Sequence, residues 1–296
     1  MISVTMAEAG VRTPQGTVDI PRTLFDYEVL DFLGEGAGSL IYVVAHPQTH
    51  QVYAMKYVRR KTEKDARFFE QLENEYDIGR ELTHPVLRRA LELRDNKTLF
   101  RKATEAALIM ELFDGTPIEQ RRPEDILGVL NCFISVAQGL AALHLSGFLH
   151  CDLKPNNIMV SHEGDVKIID FGQACRIGTV KERIQGTPDY IAPEQVKCQP
   201  LTVRTDIFNF GATLYWTLAG KSIPTLFTLK RDENSFLVDD QITTPRQISP
   251  EVPEPLSNLV MECIRTNPAK RPGDMIELVR RLELMRHVAA RQQNAA

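Results

Sequence analysis

Two short polar segments constrain this chain more strongly than any other part of its sequence. The first, His150–Asn157, reads His-Cys-Asp-Leu-Lys-Pro-Asn-Asn and places acidic, basic and amide side chains within eight positions. The second, Asp170–Gly172, reads Asp-Phe-Gly and follows the apolar run Val166–Ile169. Asp152 is able to accept a hydroxyl proton, and Lys154 is able to neutralise a moving phosphate. Such a combination in so few residues indicates phosphoryl transfer.

Together these segments resemble the catalytic loop and the metal-binding segment of the eukaryotic-type (Hanks-type) serine/threonine protein kinases. The resemblance implies that Asp152 orients a substrate hydroxyl and takes its proton, while Lys154 stabilises the transferred phosphoryl group. It also implies that Asn157 and Asp170 hold Mg²⁺, for which Mn²⁺ is an alternative. Thr187, in a matching downstream segment, would bond both Asp152 and Lys154. The implied activity is transfer of the ATP γ-phosphate to serine or threonine hydroxyls of protein substrates.

A glycine-rich turn, Leu33–Tyr42, is interpreted as the phosphate-binding loop. Glycines let backbone N–H groups approach phosphate oxygens closely. The family's three glycines correspond to Gly34, Gly36 and Ser39, so serine replaces the third, and Gly38 stands one position early. Any tight hairpin favours glycine, so the turn alone is weak support. Its place between two strand-like runs strengthens the interpretation.

Lys56 follows the second of those runs and matches the lysine that contacts the α- and β-phosphates in the family. Such a lysine needs an acidic partner to hold it in place. Glu75, nineteen residues further on, is preferred over Glu73 because its distance to His84 matches the family register. The resemblance therefore implies a Lys56–Glu75 ion pair on the nucleotide side of the site.

The nucleotide base is expected to lie between apolar side chains beside a hinge. Met110 would be the gatekeeper, and backbone groups of Glu111 and Phe113 would bond the adenine edge. The apolar residues implied to sandwich the purine are Ile41, Ala54 and Met159. The family's acidic ribose contact falls on Pro117 here, with Glu119 as the alternative. ATP with Mg²⁺ is the implied cofactor set.

Two departures from the family pattern bear on control. Gly79 stands where a bulky apolar residue is usual. It is either a gap filled by a neighbour or a weak point in its helix, costing roughly 1 kcal/mol relative to alanine and calling for a regulatory partner there. Cys151 stands where most relatives have an arginine that receives an activation-loop phosphate, so this is a non-RD sequence, and phosphorylation of Thr179 should matter little. Cys151 is interpreted as a buried apolar side chain, with a redox-sensing thiol as the alternative.

A pseudokinase, which binds nucleotide or scaffolds without transferring phosphate, is the alternative function. Such proteins typically lack one of four charged or polar residues that the chemistry needs. All four are present in this chain: Lys56, Asp152, Asn157 and Asp170. The sequence therefore favours an active serine/threonine kinase, and its compact loops resemble those of bacterial members.

Composition limits the compartments and partners. The net charge of −4 argues against nucleic acid as a partner. Five scattered cysteines without a Cys-x-x-Cys pair suit a reducing cytoplasm better than disulfides or a zinc site. No apolar run was found to approach the ~18 residues that a membrane span needs, so no span is predicted.

The periodicity of apolar residues predicts an α+β fold with two lobes. Residues 23–112 are expected to form a small antiparallel sheet with one main helix, 111–117 a hinge, and 118–287 a helical lobe. A flexible leader over 1–22 and a tail over 288–296 complete the division. Strands are predicted over 27–30, 41–45, 51–58, 90–93 and 107–111. Helices are predicted over 64–82, from about 123 to the stop signal Ser146-Gly147, over 206–219 and over 274–290, and a solvated loop over 230–241.

Overall fold

The computed structural model describes residues 11–13, 16–18, 20–36, 38–97, 102–228, 239 and 242–293. The chain divides into two compact units: unit 1 comprises Met1–Leu82 and Arg88–Asp114, and unit 2 comprises Thr83–Leu87 and Gly115–Ala296. An antiparallel sheet dominates the first and helices dominate the second, which confirms the predicted α+β class. The loop predicted over 230–241 lies outside the described residues, apart from Asp239.

Unit 1 is built on a six-stranded antiparallel sheet with the spatial order β3-β4-β5-β6-β8-β7. Its strands are β3 (Thr23–Leu24), β4 (Tyr27–Gly36), β5 (Ser39–Ala45), β6 (Val52–Arg59), β7 (Ala90–Asp95) and β8 (Glu105–Met110). The five predicted strands are all present. Strand β4 continues six residues beyond its predicted end and therefore includes the first four residues of the glycine-rich segment, where Gly34 lies opposite Ile41, and Gly36 opposite Ser39.

Two further strands, β1 (Val11–Thr13) and β2 (Gly16–Val18), pair with each other in antiparallel fashion. The sequence analysis found no strand period over residues 1–22, and for these six residues that prediction is wrong. Most of them are β-branched, which favours extended backbone even in short segments where alternation is hard to recognise.

Helix α1 (Ala66–Gly79) is the single long helix described in unit 1. It follows a 3₁₀ turn, Glu63–Asp65, in which the Asp65 carboxylate accepts hydrogen bonds from the N–H groups of Lys61 and Thr62 at 2.9 and 2.7 Å. The prediction that the helix continues to residue 82 is wrong. It ends at Gly79, where the chain meets strand β7: a Cβ on Gly79 would lie 2.8 Å from the Ala90 Cβ.

The sheet of unit 1 has apolar residues on both faces. Along β6, Ala54 and Val58 face one core, while Met55 and Tyr57 face the other, as the two-residue period of a strand requires. Side chains of α1, among them Leu72, complete the first core. Because both faces are covered, β8 is a continuous apolar run, a pattern typical of strands buried on both sides.

Unit 2 consists of helices and short strands. Its helices are α2 (Ile126–Leu145), α3 (Pro193–Val196), α4 (Val203–Ala219), α5 (Pro245–Ile248), α6 (Glu254–Cys263) and α7 (Met275–Gln293). Its strands are β9 (Thr116–Pro117), β10 (Phe148–Leu149), β11 (Ile158–Val160), β12 (Val166–Ile168) and β13 (Cys175–Arg176). These strands form a three-stranded sheet, β12-β11-β9, and a separate pair, β10-β13. The predicted helices are present with shifted ends, whereas α6 and the short strands were not predicted.

Helix starts in unit 2 follow ordinary capping chemistry. The Asp125 carboxylate accepts a hydrogen bond from the Gly128 N–H at 2.7 Å before α2, and the Thr202 hydroxyl accepts one from the Arg204 N–H before α4. Capping by Thr202 explains why α4 begins three residues earlier than predicted. Gly220, with φ of 69°, ends it in the left-handed conformation.

Helix α2 corrects one prediction about membranes. By length and composition its 20 residues suffice to cross a bilayer, although the sequence analysis found no run of that length. Uncharged polar residues such as Asn131, Ser135 and Gln138 interrupt the apolar run without adding charge. In the described structure 56% of the helix's most apolar window is buried inside the protein, as expected for a core helix.

Candidate active site

A buried carboxylate in unit 1 holds two cations. Glu75 on α1 is 2% exposed, and its Oε2 accepts a hydrogen bond from Lys56 Nζ at 2.6 Å. The Arg88 guanidinium lies 3.6 Å from the other carboxylate oxygen. The structure therefore brings together the predicted pair and adds an arginine that the sequence analysis did not single out. The predicted alternative, Glu73, has no role in this contact.

The glycine-rich segment approaches the same lysine through the sheet. Strand β5 runs between β4 and β6, so that Ile41 lies opposite Gly34 on one side and opposite Lys56 on the other. Gly38 has φ of 85°, and a Cβ there would meet the Phe68 ring of α1 at 2.4 Å. Glycine is thus required at this position by both backbone conformation and space.

The Ser39 side chain, which replaces the family's third glycine, is buried beneath the turn. A Cβ on Gly36 would lie 2.9 Å from the Ser39 hydroxyl oxygen. The serine thus occupies space beside Gly36 within the strand pairing. Leu33, at the other end of the segment, is 54% exposed and presents an apolar side chain to the surface of the unit.

The predicted base-binding residues of unit 1 lie on neighbouring strands. Ala54 and Met110 are buried partners across β6 and β8. The N–H of Glu111 donates to the Arg89 carbonyl at 3.1 Å. Phe113 follows two residues later and is partly buried.

The catalytic residues predicted in unit 2 form a closed hydrogen-bonded triangle. Lys154 Nζ donates to Asp152 Oδ2 at 3.0 Å and to the Thr187 hydroxyl at 2.9 Å. The Thr187 hydroxyl in turn donates to Asp152 Oδ1 at 2.8 Å. Asp152 keeps 8% exposure, so the acid stays accessible at one edge. Residues 35 positions apart in sequence are thus brought together with the geometry that the resemblance implied.

The backbone of the catalytic loop is fixed by side chains from other elements. Asp206 of α4 is fully buried and accepts hydrogen bonds from the backbone N–H groups of His150 and Cys151, each at 2.8 Å. Gln195 of α3 donates to the Cys151 carbonyl at 2.7 Å. Asp206 braces this backbone from α4, and Gln195 is an additional support.

The pKa of Asp206 is lowered below the usual aspartate value. Burial alone would raise it, but the hydrogen bond from His144 at 2.8 Å, the charges of nearby histidines and the Cys151 N–H together outweigh that effect. The carboxylate thus stays ionised while buried, and His144 was not recognised from sequence because its partner lies 62 residues away.

The Asn157 and Asp170 side chains fit a Mg²⁺ site. They offer an amide oxygen and a carboxylate, which are the hard oxygen ligands that Mg²⁺ prefers. Asn157 Nδ2 donates to the Asp152 carbonyl at 2.9 Å, and the Ile169 N–H donates to the Asn157 carbonyl at 2.9 Å, beside Asp170. No group of three or more metal-binding side chains occurs among the described residues. Two protein ligands suffice because Mg²⁺ commonly completes its shell with phosphate and water.

Asp170 has φ of 67°, in the left-handed region that disfavours residues other than glycine. Such backbone strain is commonly retained at functional sites when the surroundings hold it. The preceding β12 strand is paired with β11, and the His150 ring lies edge-on to Phe171, with centroids 5.4 Å apart. These contacts place the Asp-Phe-Gly segment beside the catalytic loop within unit 2.

A buried ion pair closes the segment that follows Thr187. Arg271 donates to both oxygens of Glu194, at 2.7 and 3.0 Å, as a bidentate pair. The pair ties α3 to the loop before α7.

The position that is an acidic ribose contact in the family is a proline in this chain. Pro117 pairs with Met159 across β9 and β11, so the position of the usual acidic contact forms part of a strand. The alternative, Glu119, is exposed, and its carboxylate accepts a hydrogen bond from the Asn156 amide. That amide anchors Glu119 beside the catalytic loop.

Cys151 is buried in a small apolar cluster with Leu149, Leu201 and Cys175. Its Sγ lies 3.5 Å from the Cys175 Sγ. The hydrogen bond to Cys175, and burial, raise the pKa of Cys151 well above the usual thiol value. Cys175 was not singled out from sequence, because nothing in its neighbourhood along the chain signals that it meets Cys151.

Comparison with known proteins agrees with this fold. A family model described as "Protein kinase domain" matches residues 27–286. The chain therefore belongs to the protein kinase family, as the resemblance predicted.

Its relatives include kinases of animals, plants and bacteria. The chain is 29% identical over 259 residues to the serine/threonine-protein kinase PLK4 of Drosophila virilis, covering 84% of this chain and 32% of that protein. It is 33% identical over 201 residues to the serine/threonine-protein kinase TIO of Arabidopsis thaliana, covering 66% and 15%. It is 25% identical over 290 residues to the serine/threonine-protein kinase PknD of Protochlamydia amoebophila, covering 87% and 29%. The chain thus spans at most about a third of the length of these relatives.

Proposed function

We propose that this chain is an active serine/threonine protein kinase that transfers the γ-phosphate of ATP to protein hydroxyls. The triangle of Asp152, Lys154 and Thr187 carries the proposal. A carboxylate positioned by an ammonium group and a hydroxyl is ready to accept a hydrogen bond from an incoming alcohol. Membership of the protein kinase family supports the same reaction.

Each charged group has a separate role in the proposed reaction. Asp152 orients the substrate hydroxyl and accepts its proton as the new P–O bond forms. Lys154 uses two of its three N–H donors on Asp152 and Thr187, and its third is available for a phosphoryl oxygen. Asn157 and Asp170 would hold Mg²⁺, which would neutralise charge on the phosphates.

On the nucleotide side, Lys56 contacts the α- and β-phosphates. The buried Glu75 carboxylate holds the lysine in place at 2.6 Å. The backbone of the segment Gly34–Ser39 covers the phosphates, and Ala54, Met110, Ile41 and Met159 contribute the apolar surface for the purine. The carbonyl of Glu111 and the backbone of Phe113 recognise the adenine edge.

Serine and threonine acceptors are proposed rather than tyrosine. Thr187 and Lys154-Pro155 resemble the serine/threonine branch of the family, and the relatives named above carry that description. Because Cys151 replaces the usual arginine, the enzyme is of the non-RD type. Five free cysteines support a reducing, cytoplasmic setting.

The alternative function is a pseudokinase that binds nucleotide without transferring phosphate. The two functions differ in a single measurable property, the appearance of label on protein hydroxyls. The purified chain is incubated with γ-labelled ATP and Mg²⁺, alone and with a lysate, and the phosphorylated sites are mapped. Label on serine or threonine supports the kinase, and nucleotide binding without any label supports the pseudokinase.

Two variants test the residue assignments. Asp152→Asn should lower the transfer rate by about 10²–10⁴ while leaving ATP affinity nearly unchanged, because only hydroxyl orientation and proton acceptance are lost. Asp170→Asn should instead weaken the metal-dependent binding of ATP. Asp165→Asn, an exposed aspartate in the same unit, is the matched control and should behave as the parent. Equal activity in all four proteins would reject the assigned site.

A further inference from the structure

Two cysteines are in contact at the catalytic loop. Cys151 immediately precedes Asp152, and Cys175 lies 24 residues later in β13. Their sulfurs are 3.5 Å apart, and the antiparallel pairing of β10 with β13 brings the two chain segments side by side. This cysteine pair, Cys151 with Cys175, has no part in the proposed phosphoryl transfer.

The two thiols differ in environment. Cys175 is 9% exposed and leads directly into the exposed residues 176–178, whereas Cys151 is 3% exposed and enclosed by apolar neighbours. Lys181 follows in the same segment, where its ammonium donates to the Gln173 carbonyl. Cys175 is thus the more exposed of the two residues, and the Lys181 charge acts on it.

The hydrogen bond between the thiols shifts their pKa values in opposite directions. Donation from the Cys151 S–H lowers the pKa of Cys175 to about 7 despite partial burial, aided by the Lys181 charge. The same bond, with burial and the nearby Asp206 charge, raises the pKa of Cys151. The lowered pKa favours the thiolate of Cys175, the form that reacts with oxidants.

We propose that Cys151 and Cys175 form a reversible disulfide when the protein meets hydrogen peroxide, and that this bond slows phosphoryl transfer. Cys175 is the sulfur that reacts first, and Cys151 is the resolving thiol. The slowing rests on the proposed kinase function, whereas formation of the disulfide does not.

The reaction balances with one peroxide. The Cys175 thiolate attacks a peroxide oxygen, the O–O bond breaks, and a sulfenic acid forms as hydroxide leaves and takes up a proton to become water. The Cys151 sulfur then attacks the sulfenic sulfur, the S–O bond breaks, and the departing hydroxide takes up the Cys151 proton as a second water. Each sulfur loses one electron, and peroxide gains two. A reducing thiol such as glutathione reverses the bond by exchange.

The catalytic loop has little room to accommodate this bond. A disulfide requires the sulfurs to approach to about 2.05 Å, so they must move together by roughly 1.5 Å. Cys151 already has φ of 63°, its N–H is bonded to Asp206 at 2.8 Å, and its carbonyl is bonded to Gln195 at 2.7 Å. Because Asp152 is the next residue, any shift of Cys151 displaces the catalytic carboxylate, and displacements of about 1 Å are costly in rate.

Peptide mapping of the oxidised chain tests the proposal directly. The whole chain is treated with hydrogen peroxide in slight excess, the remaining thiols are alkylated, and the protein is digested without reduction. A cross-linked peptide joining Cys151 to Cys175 is expected in the parent and in Cys198→Ala, the control at the partly exposed cysteine. Cys175→Ala and Cys175→Ser should both lack it, and thermal unfolding checks that each variant is folded.

Activity is measured on the same samples. Oxidation should lower the rate of the parent by about tenfold, and dithiothreitol should restore it. The rate of Cys175→Ala should not change on oxidation. Oxidation at Cys198 alone, or over-oxidation of Cys175 without the cross-link, would overturn the disulfide. A cross-link with an unchanged rate would overturn the proposed slowing. The peptide map contains no ATP, so failure of the kinase proposal leaves the result for the disulfide intact.

Discussion

The two units fix their charged residues in different ways. In unit 2 the catalytic loop is held by a network of buried partners, in which Asp206 and Gln195 bond the backbone around Cys151, and Thr187 bonds Asp152. In unit 1 a single carboxylate, Glu75, is shared between Lys56 at 2.6 Å and Arg88 at 3.6 Å.

The two arrangements depend on different parts of the protein. Hydrogen bonds to the backbone of the catalytic loop come from α3 and α4, which are buried parts of unit 2. The Lys56 contact instead depends on the position of one helix, α1, whose last residue is a glycine. A shift of α1 would separate Glu75 from both cations at once. Unit 2 therefore presents fixed chemistry, whereas unit 1 presents a contact that is adjustable by moving one element.

The largest effect is expected at the centre of the unit 2 network. Asp206→Asn replaces two acceptor oxygens by one acceptor and one donor, so that either the His150 N–H or the Cys151 N–H faces an N–H group. Breaking a buried charged network of this kind typically costs about 3–5 kcal/mol. Chemical denaturation of Asp206→Asn should show a loss of that size, and Asp165→Asn, an exposed control, should show almost none.

The same variant predicts a pH dependence. The pKa of Asp206 is lower in the folded protein than its ordinary value, about 3.9. Its contribution to stability is therefore fully present above that value and is lost as the pH falls through the lower folded-state pKa. The difference in unfolding free energy between the parent and Asp206→Asn should shrink as the pH falls below about 4. A constant difference throughout would contradict the role assigned to the carboxylate.

The second prediction separates the two cations on Glu75. Lys56→Met should lower kcat/KM by about 10²-fold, because it removes a charge aimed at the phosphates. Arg88→Met should cost less than about tenfold, since the 2.6 Å bond between Lys56 and Glu75 remains. Steady-state kinetics with varied ATP measures both.

Lys61→Met, an exposed lysine of the same unit, is the control and should be neutral. If Arg88→Met were as damaging as Lys56→Met, the arginine would be what positions Glu75. That result would mean that unit 1 also holds its charged residues by a fixed network, and the two units would not differ in this respect.

Residues that act through short sequence spacing were predictable. Asp152 and Lys154 are two residues apart, and the Asp-Phe-Gly segment follows at a spacing that the family shares, so the resemblance assigned their roles before any coordinates. The triangle with Thr187 was predicted through the same resemblance. Strands such as β5 and β6, with clear β-branched and aromatic runs, were predicted because local pattern and burial agree.

Contacts that depend on packing were not predictable. Arg88 follows His84-Pro85 in a segment without periodicity, and nothing local indicates that it reaches Glu75. Cys175 lies in a two-residue strand, too short to show alternation, and its partner is 24 residues away. The end of α1 was placed too late because Arg80, Glu81 and Leu82 are good helix formers, so helix propensity gives no stop signal at Gly79.

The third prediction concerns the glycine at the end of α1. Helix propensity alone would make Gly79→Ala stabilising by roughly 1 kcal/mol. In the structure the new Cβ would lie 2.8 Å from the Ala90 Cβ, and overpacking of this kind usually destabilises by about 1–3 kcal/mol. Thermal unfolding should therefore show a lower melting temperature for Gly79→Ala.

A double variant sharpens the test at Gly79. Ala90→Gly removes the methyl group that the new side chain would strike. The double variant Gly79→Ala/Ala90→Gly should therefore lose less unfolding free energy than the sum of the losses in the two single variants. If the free-energy losses of the two single variants simply add in the double variant, the two positions do not touch. In that case Gly79 would be the weak point in the helix, and the adjustable character of unit 1 would reside in the helix itself rather than in its packing.

The smallest effect is expected at Thr179 in unit 2. Its hydroxyl donates to the Arg176 carbonyl at 2.7 Å, a local contact within the activation segment. In relatives a phosphate at such a position is received by the arginine before the catalytic aspartate, but Cys151 offers no charge for it and is buried. The catalytic loop is instead fixed by Asp206 and Gln195, whether or not a phosphate is present.

Thr179→Ala should therefore keep peptide phosphorylation within about tenfold of the parent, or 1.4 kcal/mol of barrier. Thr187→Ala is the contrasting variant and should lose far more, because it opens the triangle around Asp152. A loss at Thr179 beyond tenfold would show that unit 2 also relies on an adjustable contact.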